Sequence, residues 1–303
     1  MATLYVFCGL PGCGKSTYAN SLVEYGNNIY IASSDNLREE LYGDINDQSH
    51  NAEVFQELYK RVLYYLENGT DVIIDATNTT IKSRRNIFNS GIDFNKHEAI
   101  CVIFDTPFEE CVRRDSLRAR NVGKKVIEKF YKSYQIPFME EGWTNIIFAG
   151  ETEENNNIDF FFEQLKDFDQ KTKWHNLTLD KHSEKVSQLI DDMFFIRERG
   201  ASFSNVATRL VLLNSALIHD YGKLFTQTFD ENGEAHYYNH ANIGAYELLS
   251  SGYRALEVLF YINYHMLPFN WNSEKTINKY NNIFGAEKTS NLLLLNECDR
   301  KGK

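Results

Sequence analysis

Eight consecutive residues near the start of the chain, Gly9-Leu10-Pro11-Gly12-Cys13-Gly14-Lys15-Ser16, carry the spacing G-x-x-x-x-G-K-[ST]. The chemistry that needs this pattern is the holding of a nucleoside triphosphate with Mg²⁺. Gly9, Gly12, Cys13 and Gly14 offer main-chain N–H groups that can turn inward around phosphate oxygens. Lys15 can reach the β- and γ-phosphates, and the Ser16 hydroxyl can hold Mg²⁺. Thr17 opens the helical stretch that follows, 17–25, whose positive end favours the same anion.

Other residues suit the acceptor side of a transfer. In Ser33-Ser34-Asp35-Asn36-Leu37-Arg38, Asp35 follows a strand and could take the proton of an attacking hydroxyl. Arg38, three residues on, shares its helix face and could hold a phosphate on the acceptor. Asp75 ends the run Val72-Ile73-Ile74-Asp75, where an acid can hold the Mg²⁺ shell through water. From Arg113 to Lys125 there are six basic residues and one acid, 6 − 1 = +5, within a chain of net charge −10. That contrast marks a phosphate-handling segment. Arg118 and Arg120 lie in it between two helical stretches, where a lid could bring an arginine to the donor phosphates.

A different chemistry is written after residue 170, where six of the eight histidines fall: His175, His182, His219, His236, His240 and His265. His219 and Asp220 are adjacent in Ile218-His219-Asp220-Tyr221-Gly222-Lys223, and on a helix both could reach one metal ion. Lys223, four residues beyond His219, lies on the same face and could bind a phosphate oxygen. Joined by His182, His240, His265 and Asp299, they form a mixed imidazole and carboxylate set. Such a set suits one or two divalent transition metals such as Mn²⁺, with an open position to activate water. His175 and His236 read as structural or supporting residues, and Lys303 as a further basic group near Asp299.

These residues need two kinds of scaffold. Up to about residue 150 the chain alternates expected strands (3–8, 28–32, 71–75, 98–104 and 144–149) with helical stretches, the clearest at 52–66. Such alternation implies an α/β domain, a parallel sheet with helices on both faces and ligands at the carboxyl ends of its strands. A Glu/Asn-rich linker spans about 150–157. Helical periodicity then dominates, so domains are expected at 1–155 (α/β) and 156–303 (all-α). The chain's 303 residues agree with two cores. The acidic balance argues against a broad nucleic-acid-binding surface but not a local one. Five cysteines without paired spacing read as free thiols, and no 18-residue apolar span exists. A cytoplasmic protein without membrane attachment is expected.

The first 150 residues resemble the kinase domain of the polynucleotide 5′-hydroxyl kinases. The resemblance rests on the phosphate loop, Asp35-x-x-Arg38, Asp75-Ala76-Thr77-Asn78 and Arg113-Arg114-x-x-x-Arg118. It implies that Asp35 is the general base, that Arg38 grips the phosphate beside the 5′-hydroxyl, and that Arg118 engages the donor phosphates. Phage-type members carry their acid one residue later, where this chain has Ala76. Small-molecule kinases of the same superfamily share most of these features. Residues 172–303 resemble the HD phosphohydrolase superfamily, on His182, His219-Asp220, His240, His265 and Asp299. That resemblance implies core metal ligands at His182, His219, Asp220 and Asp299, with His240 and His265 bringing a second metal.

The two resemblances together imply an enzyme that heals both ends of a broken RNA, or DNA. ATP with Mg²⁺ would phosphorylate a 5′-hydroxyl, and the second domain would remove a 2′,3′-cyclic, 2′- or 3′-phosphate, preparing ends for a separate RNA ligase. Two alternatives stand beside it. One is a mononucleotide or small-molecule kinase joined to a nucleotidase. The other is an ATP-gated RNA-binding module with a degenerate second domain.

Overall fold

The computed structural model describes residues 2–25, 28–150, 152–173, 176–197 and 205–303; His175 lies outside them. The chain forms two compact units: Met1–Phe130 with Pro137–Thr152, and Tyr131–Ile136 with Glu153–Lys303. Among the described residues no helix is long and apolar enough to cross a membrane.

The first unit runs β1 (Thr3–Cys8), α1 (Lys15–Glu24), β2 (Ile29–Ser33), α2 (Ser34–Tyr42), α3 (Asn51–Glu67), β3 (Asp71–Asp75), α4 (Ile81–Phe88), β4 (Glu98–Ile103), α5 (Phe108–Ser116), α6 (Lys124–Lys132, its last two residues counted with the second unit) and β5 (Asn145–Phe148). The strands form one sheet in the order β2-β3-β1-β4-β5. Every pairing is parallel, with Val6 opposite Ile74 and Cys101, and Ser33 opposite Asp75. This is the sheet expected from the sequence, with strand ends moved by a residue.

β1 sits at its centre, so Leu4, Val6, Phe7 and Cys8 are all buried, which is why the strand reads as an apolar run rather than an alternation. Helix α3 buries Val54, Leu58, Val62 and Leu66 at four-residue spacing, each contributing roughly 1.5–3 kcal/mol of apolar burial. Because all strands point the same way, Cys8, Ser33 and Asp75 end on one edge, and the loops that follow them meet there.

Behind that edge a charged pair is fully buried. Arg84 in α4 donates through Nε and Nη2 to the two oxygens of Glu141 at 2.7 and 2.6 Å, and Trp143 Nε1 donates to the same carboxylate at 2.9 Å. Arg84 Nη1 donates to the Asn78 carbonyl (3.0 Å), and Asn78 Nδ2 to the Phe7 carbonyl (2.8 Å). Asn78 adopts φ +44, a left-handed conformation that Asn tolerates better than most residues. The segment after β3 is thereby fastened to the end of β1.

The second unit contains α7 (Ile158–Glu163), α8 (Leu179–Arg197), α9 (Asn205–Ile218), α10 (Lys223–Thr226), β6 (Gln227–Phe229), β7 (Ala235–Tyr237), α11 (His240–Ser250), α12 (Leu256–Tyr264), α13 (Glu274–Phe284) and α14 (Ala286–Lys301). Its core joins Tyr246 and Leu249 of α11, Leu259 and Ile262 of α12, and Leu292 and Leu295 of α14, all buried. The antiparallel hairpin β6-β7 corrects the all-α expectation. Its strands have three residues each, too short to show a period of two. The turn between them is closed by Asp230 Oδ1, which accepts from the N–H groups of Asn232 and Glu234 at 2.9 Å each, with Gly233 at φ +77.

Candidate functional site

In the first unit the loop after β1 is shaped by its glycines. Gly12 and Gly14 take φ +85 and +97, open to glycine at no steric cost. A Cβ on Gly12 would stand 2.3 Å from the Cys111 carbonyl oxygen, and one on Gly9 2.7 Å from Cys13 Sγ. Gly9 N–H donates to the Thr77 carbonyl (3.0 Å), and Thr106 Oγ1 to the Cys13 carbonyl (3.1 Å). Lys15 opens α1 and lays its ammonium across the loop, donating to the Gly9 and Leu10 carbonyls at 3.0 and 2.8 Å. Burial pushes the Cys13 thiol up despite Lys15 beside it. Ser16 and Thr17 are exposed in the first turn, and Ser16 Oγ donates to Asp75 Oδ2 at 2.7 Å. Hydroxyl and carboxylate thus stand side by side, two oxygen groups of the kind that Mg²⁺ takes as ligands.

Asp35 lies in the first turn of α2, which Ser33 caps by accepting the Asn36 N–H. Arg38 Nη1 donates to Asp35 Oδ1 at 2.6 Å, and its Nε and Nη2 donate to Asn51 Oδ1 at 3.3 and 2.9 Å. Arg38 is buried while Asp35 is half exposed, so the pair presents a carboxylate to solvent on a fixed guanidinium. Arg118 and Arg120 follow α5. Arg118 is exposed. Arg120 turns toward the loop between α2 and α3, with Nη1 3.6 Å from Asp35 Oδ2 and Nε and Nη2 donating to Asn46 Oδ1 at 3.2 and 3.0 Å. Arg114 comes within 3.5 Å of where a Cβ on Gly14 would be.

In the second unit, six of the residues singled out from the sequence converge. His219 and Asp220 were expected within a helix; they lie instead in the turn that follows α9. The cause is at Gly222, where a Cβ would stand 1.9 Å from the His240 carbonyl oxygen and 2.6 Å from the Gly244 nitrogen. The turn and the start of α11 therefore meet backbone to backbone, which brings His240 to Asp220. His182 comes from α8, His265 caps α12 and Asp299 comes from α14.

The ligand-type atoms fall into two triads, His182–His219–Asp299 and Asp220–His240–His265. Asp220 faces both. Its Oδ2 is 3.6 Å from His182 Nε2 and 3.3 Å from His219 Nε2, while its Oδ1 is 3.1 Å from His240 Nε2 and 3.6 Å from His265 Nε2. Asp299 Oδ1 lies 3.2 Å from His182 Nε2 and 3.8 Å from His219 Nε2.

Every one of these imidazoles is held from behind. The Nδ1 atoms of His182, His219, His240 and His265 lie 3.2, 2.8, 2.8 and 2.7 Å from the carbonyls of Gly302, Ala216, Tyr237 and Ile262. A ring nitrogen facing a carbonyl must carry the proton, so in its neutral form each ring turns the lone pair of Nε2 inward, as metal-binding histidines do. His219 Nε2 is buried and faces the carboxylates of Asp220 and Asp299. Burial alone would push His219 down, but Asp220 and Asp299 hold it up at about 10. Burial would likewise raise Asp220 and Asp299, but the imidazoles, with Lys223 beside Asp220, hold both well below the usual carboxylate range. Burial pushes His265 down. Four inward-facing Nε2 atoms converging on two buried, ionised carboxylates fit divalent transition metals.

Lys223 Nζ pairs with Asp220 Oδ2 at 2.6 Å, donates to Gln170 Oε1 at 2.7 Å and lies over the Tyr237 ring. His236 stays on the hairpin, 3.4 Å from Asp230 Oδ2, and Lys303 is exposed. Residues that the sequence did not single out are Asn46, Asn51, Thr106 and Gln170, which orient the others. No local spacing marks them. Gly222, inside the His219–Lys223 run, was readable as a close backbone approach.

Residues 4–137 match the family model described as an AAA domain, AAA_33. The chain is 32% identical over 117 residues to the bifunctional enzyme NodQ of Rhizobium sp. strain N33, covering 37% of this chain and 18% of that protein. It is 28% identical over 137 residues to the shikimate kinase of Clostridium beijerinckii, covering 45% of this chain and 78% of that one. Among solved structures it is similar to a chain of the Pnkp1/Rnl/Hen1 RNA repair complex, at 28% identity and TM-score 0.39, covering 43% of this chain and 42% of that chain. The chain thus spans well under two thirds of the first of these relatives. The phosphate loop thus lies within the stretch, residues 4–137, that matches the AAA domain model.

Proposed function

We propose that the protein repairs nucleic-acid ends at two centres, as a polynucleotide 5′-hydroxyl kinase in the first unit and an HD-type phosphohydrolase in the second. The observation that carries this reading is that one chain holds both an Asp35–Arg38 pair in its kinase-type unit and the Asp220-centred histidine cluster. In the first unit, Asp35 accepts the proton of the 5′-hydroxyl as that oxygen attacks the γ-phosphorus of ATP. The bond to the β,γ-bridging oxygen breaks and ADP leaves. Arg38 holds the acceptor's phosphate, Lys15 and Arg118 the donor's, and Ser16 with Asp75 the Mg²⁺ of the nucleotide.

In the second unit, His182, His219, Asp220 and Asp299 would hold one metal, and His240 and His265 with Asp220 a second. Such metals supply Lewis acidity toward a phosphoryl oxygen and an attacking water. The chain's own residues fix four imidazoles by their Nδ1–H groups and place the Lys223 ammonium where it can hold a phosphate oxygen. The group removed is a 2′,3′-cyclic, 2′- or 3′-phosphate, leaving ends that a separate RNA ligase can use.

The test is a mass-resolved assay of both ends of a short RNA bearing a 5′-hydroxyl and a 2′,3′-cyclic phosphate, with ATP, Mg²⁺ and Mn²⁺. Gain of a 5′-phosphate that disappears in Lys15→Ala, and loss of the 3′-end phosphate that disappears in Asp220→Ala, support two separate centres. No change at either end rejects the reading. The likeness to a shikimate kinase over most of that enzyme's length favours a second reading, a small-molecule or mononucleotide kinase joined to a nucleotidase. Transfer to mononucleotides in preference to longer oligomers would select it.

A further inference from the structure

The surroundings of Asp35 have a symmetry that the sequence does not suggest. Two arginines from separate elements address the two oxygens of this one carboxylate, Arg38 Nη1 at Oδ1 and Arg120 Nη1 at Oδ2. Each guanidinium is fastened along its opposite edge, Nε with Nη2, by the side-chain oxygen of an asparagine. Asn51 does this for Arg38 and Asn46 for Arg120. Both asparagines are themselves braced, Asn46 through its N–H to Asp44 Oδ1 at 2.8 Å and Asn51 through Nδ2 to Gln48 Oε1 at 2.9 Å. An arginine held by one edge keeps the rest of its planar fork for a second anion.

We infer that Arg120 is the outer half of a two-arginine clamp on the acceptor, gripping with Arg38 the phosphate nearest the 5′-hydroxyl. This inference rests on the kinase reading above and reassigns Arg120 from the donor phosphates to the acceptor. The burial gradient sets the order: Arg38 is 6% exposed at the floor and Arg120 41% exposed at the rim. A phosphate entering between them presents non-bridging oxygens to both forks at once, where Asp35 gives each arginine a single oxygen. It draws both forks from Asp35 and leaves an Asp35 oxygen to take the hydroxyl proton. The substrate class that follows is a 5′-hydroxyl nucleotide carrying a 3′-phosphate or 3′-phosphodiester; a bare nucleoside is a poor acceptor. Asn46 and Asn51 are positioning residues, since they reach the acceptor only through the arginines they hold.

The experiment is a steady-state comparison of wild type, Arg120→Ala, Arg120→Lys and Asn46→Ala. ATP and acceptor are varied separately, and the acceptors are a 5′-hydroxyl oligonucleotide, a nucleoside 3′-phosphate and the nucleoside alone. Arg120→Ala is expected to raise the acceptor KM about tenfold for the two phosphate-bearing acceptors, with the KM for ATP unchanged and no further loss on the bare nucleoside. Arg120→Lys should recover part of the loss, and Asn46→Ala should show a smaller rise of the same kind. A raised KM for ATP with an unchanged acceptor KM would return Arg120 to the donor side and overturn the clamp. Unchanged values for both would make it a surface pair and overturn it equally. A wild-type protein that transfers phosphate to none of the three acceptors overturns the kinase reading and the clamp together, an outcome distinct from an active wild type whose Arg120→Ala form is unaltered.

Discussion

The Nε2 atoms of His240 and His265 stand 3.2 Å apart inside the second unit. Each ring has already committed its Nδ1–H to a main-chain carbonyl, so two lone pairs face each other beside an Asp220 oxygen. Only a proton or a metal cation relieves that arrangement. The same holds for His219, whose Nε2 meets only carboxylate oxygens.

Metal content is therefore expected to follow the two triads. Wild-type protein loaded with Mn²⁺ should hold two ions, His265→Ala one, and Asp220→Ala neither, because Asp220 alone faces both groups. Elemental analysis of the purified variants measures this. Equal metal in wild type and Asp220→Ala would reject the shared-carboxylate arrangement.

The acidity of the cluster should be visible in stability. His219 is held above its ordinary value of 6.5, at about 10, by Asp220 and Asp299. After chelation, its contribution is fully present below its unfolded-state pKa and lost as pH rises through the folded one. The thermal midpoint of chelated protein should thus fall between about pH 7 and about pH 10. Metal binding needs the neutral ring, so added Mn²⁺ should raise the midpoint more strongly at the upper end. Scanning calorimetry with and without Mn²⁺ reads both trends: a chelated midpoint that holds level would contradict the first, and parallel curves the second.

Gly222→Ala should disable the second centre while sparing the first. The new Cβ would meet the His240 carbonyl and the Gly244 nitrogen at distances no backbone allows. We expect loss of metal and of 3′-end phosphate removal, with 5′-phosphorylation intact. Retained metal would mean that the turn can shift without moving His240.

Asp35→Asn should keep ATP binding and lose roughly 10²–10⁴-fold in transfer rate, the usual contribution of a general base. Nucleotide binding by titration calorimetry, set beside single-turnover transfer, separates the two quantities. A rate within a few-fold of wild type would remove Asp35 from the base role.

Removing one partner of the Arg84–Glu141 pair, as in Glu141→Leu, should cost about 3–5 kcal/mol, because it strands a buried charge. Since Arg84 also holds the Asn78 carbonyl, the phosphate loop should loosen with it. Denaturant unfolding measures the first effect and ATP affinity the second. Pairing Glu141→Leu with Arg84→Met should recover part of the stability.

The sequence alone determined the elements whose signal is local. The phosphate loop reads from eight residues because each must supply a particular backbone freedom or side-chain group at fixed spacing. The inner strands β1, β3 and β4 read as apolar runs because the centre of a parallel sheet is buried on both faces. The three-residue strands β6 and β7 and the end of α9 before His219 escaped that reading. The first are too short to show a period, and the second is set by Gly222 meeting Gly244. Which histidines share Asp220, which oxygen each faces, and that Arg120 turns to Asp35 were decided only by the tertiary structure. These depend on side chains from separate elements reaching one point, with hydrogen bonds from Asn46, Asn51 and Gln170 orienting them. Contacts between residues far apart in the chain leave no periodic trace in it.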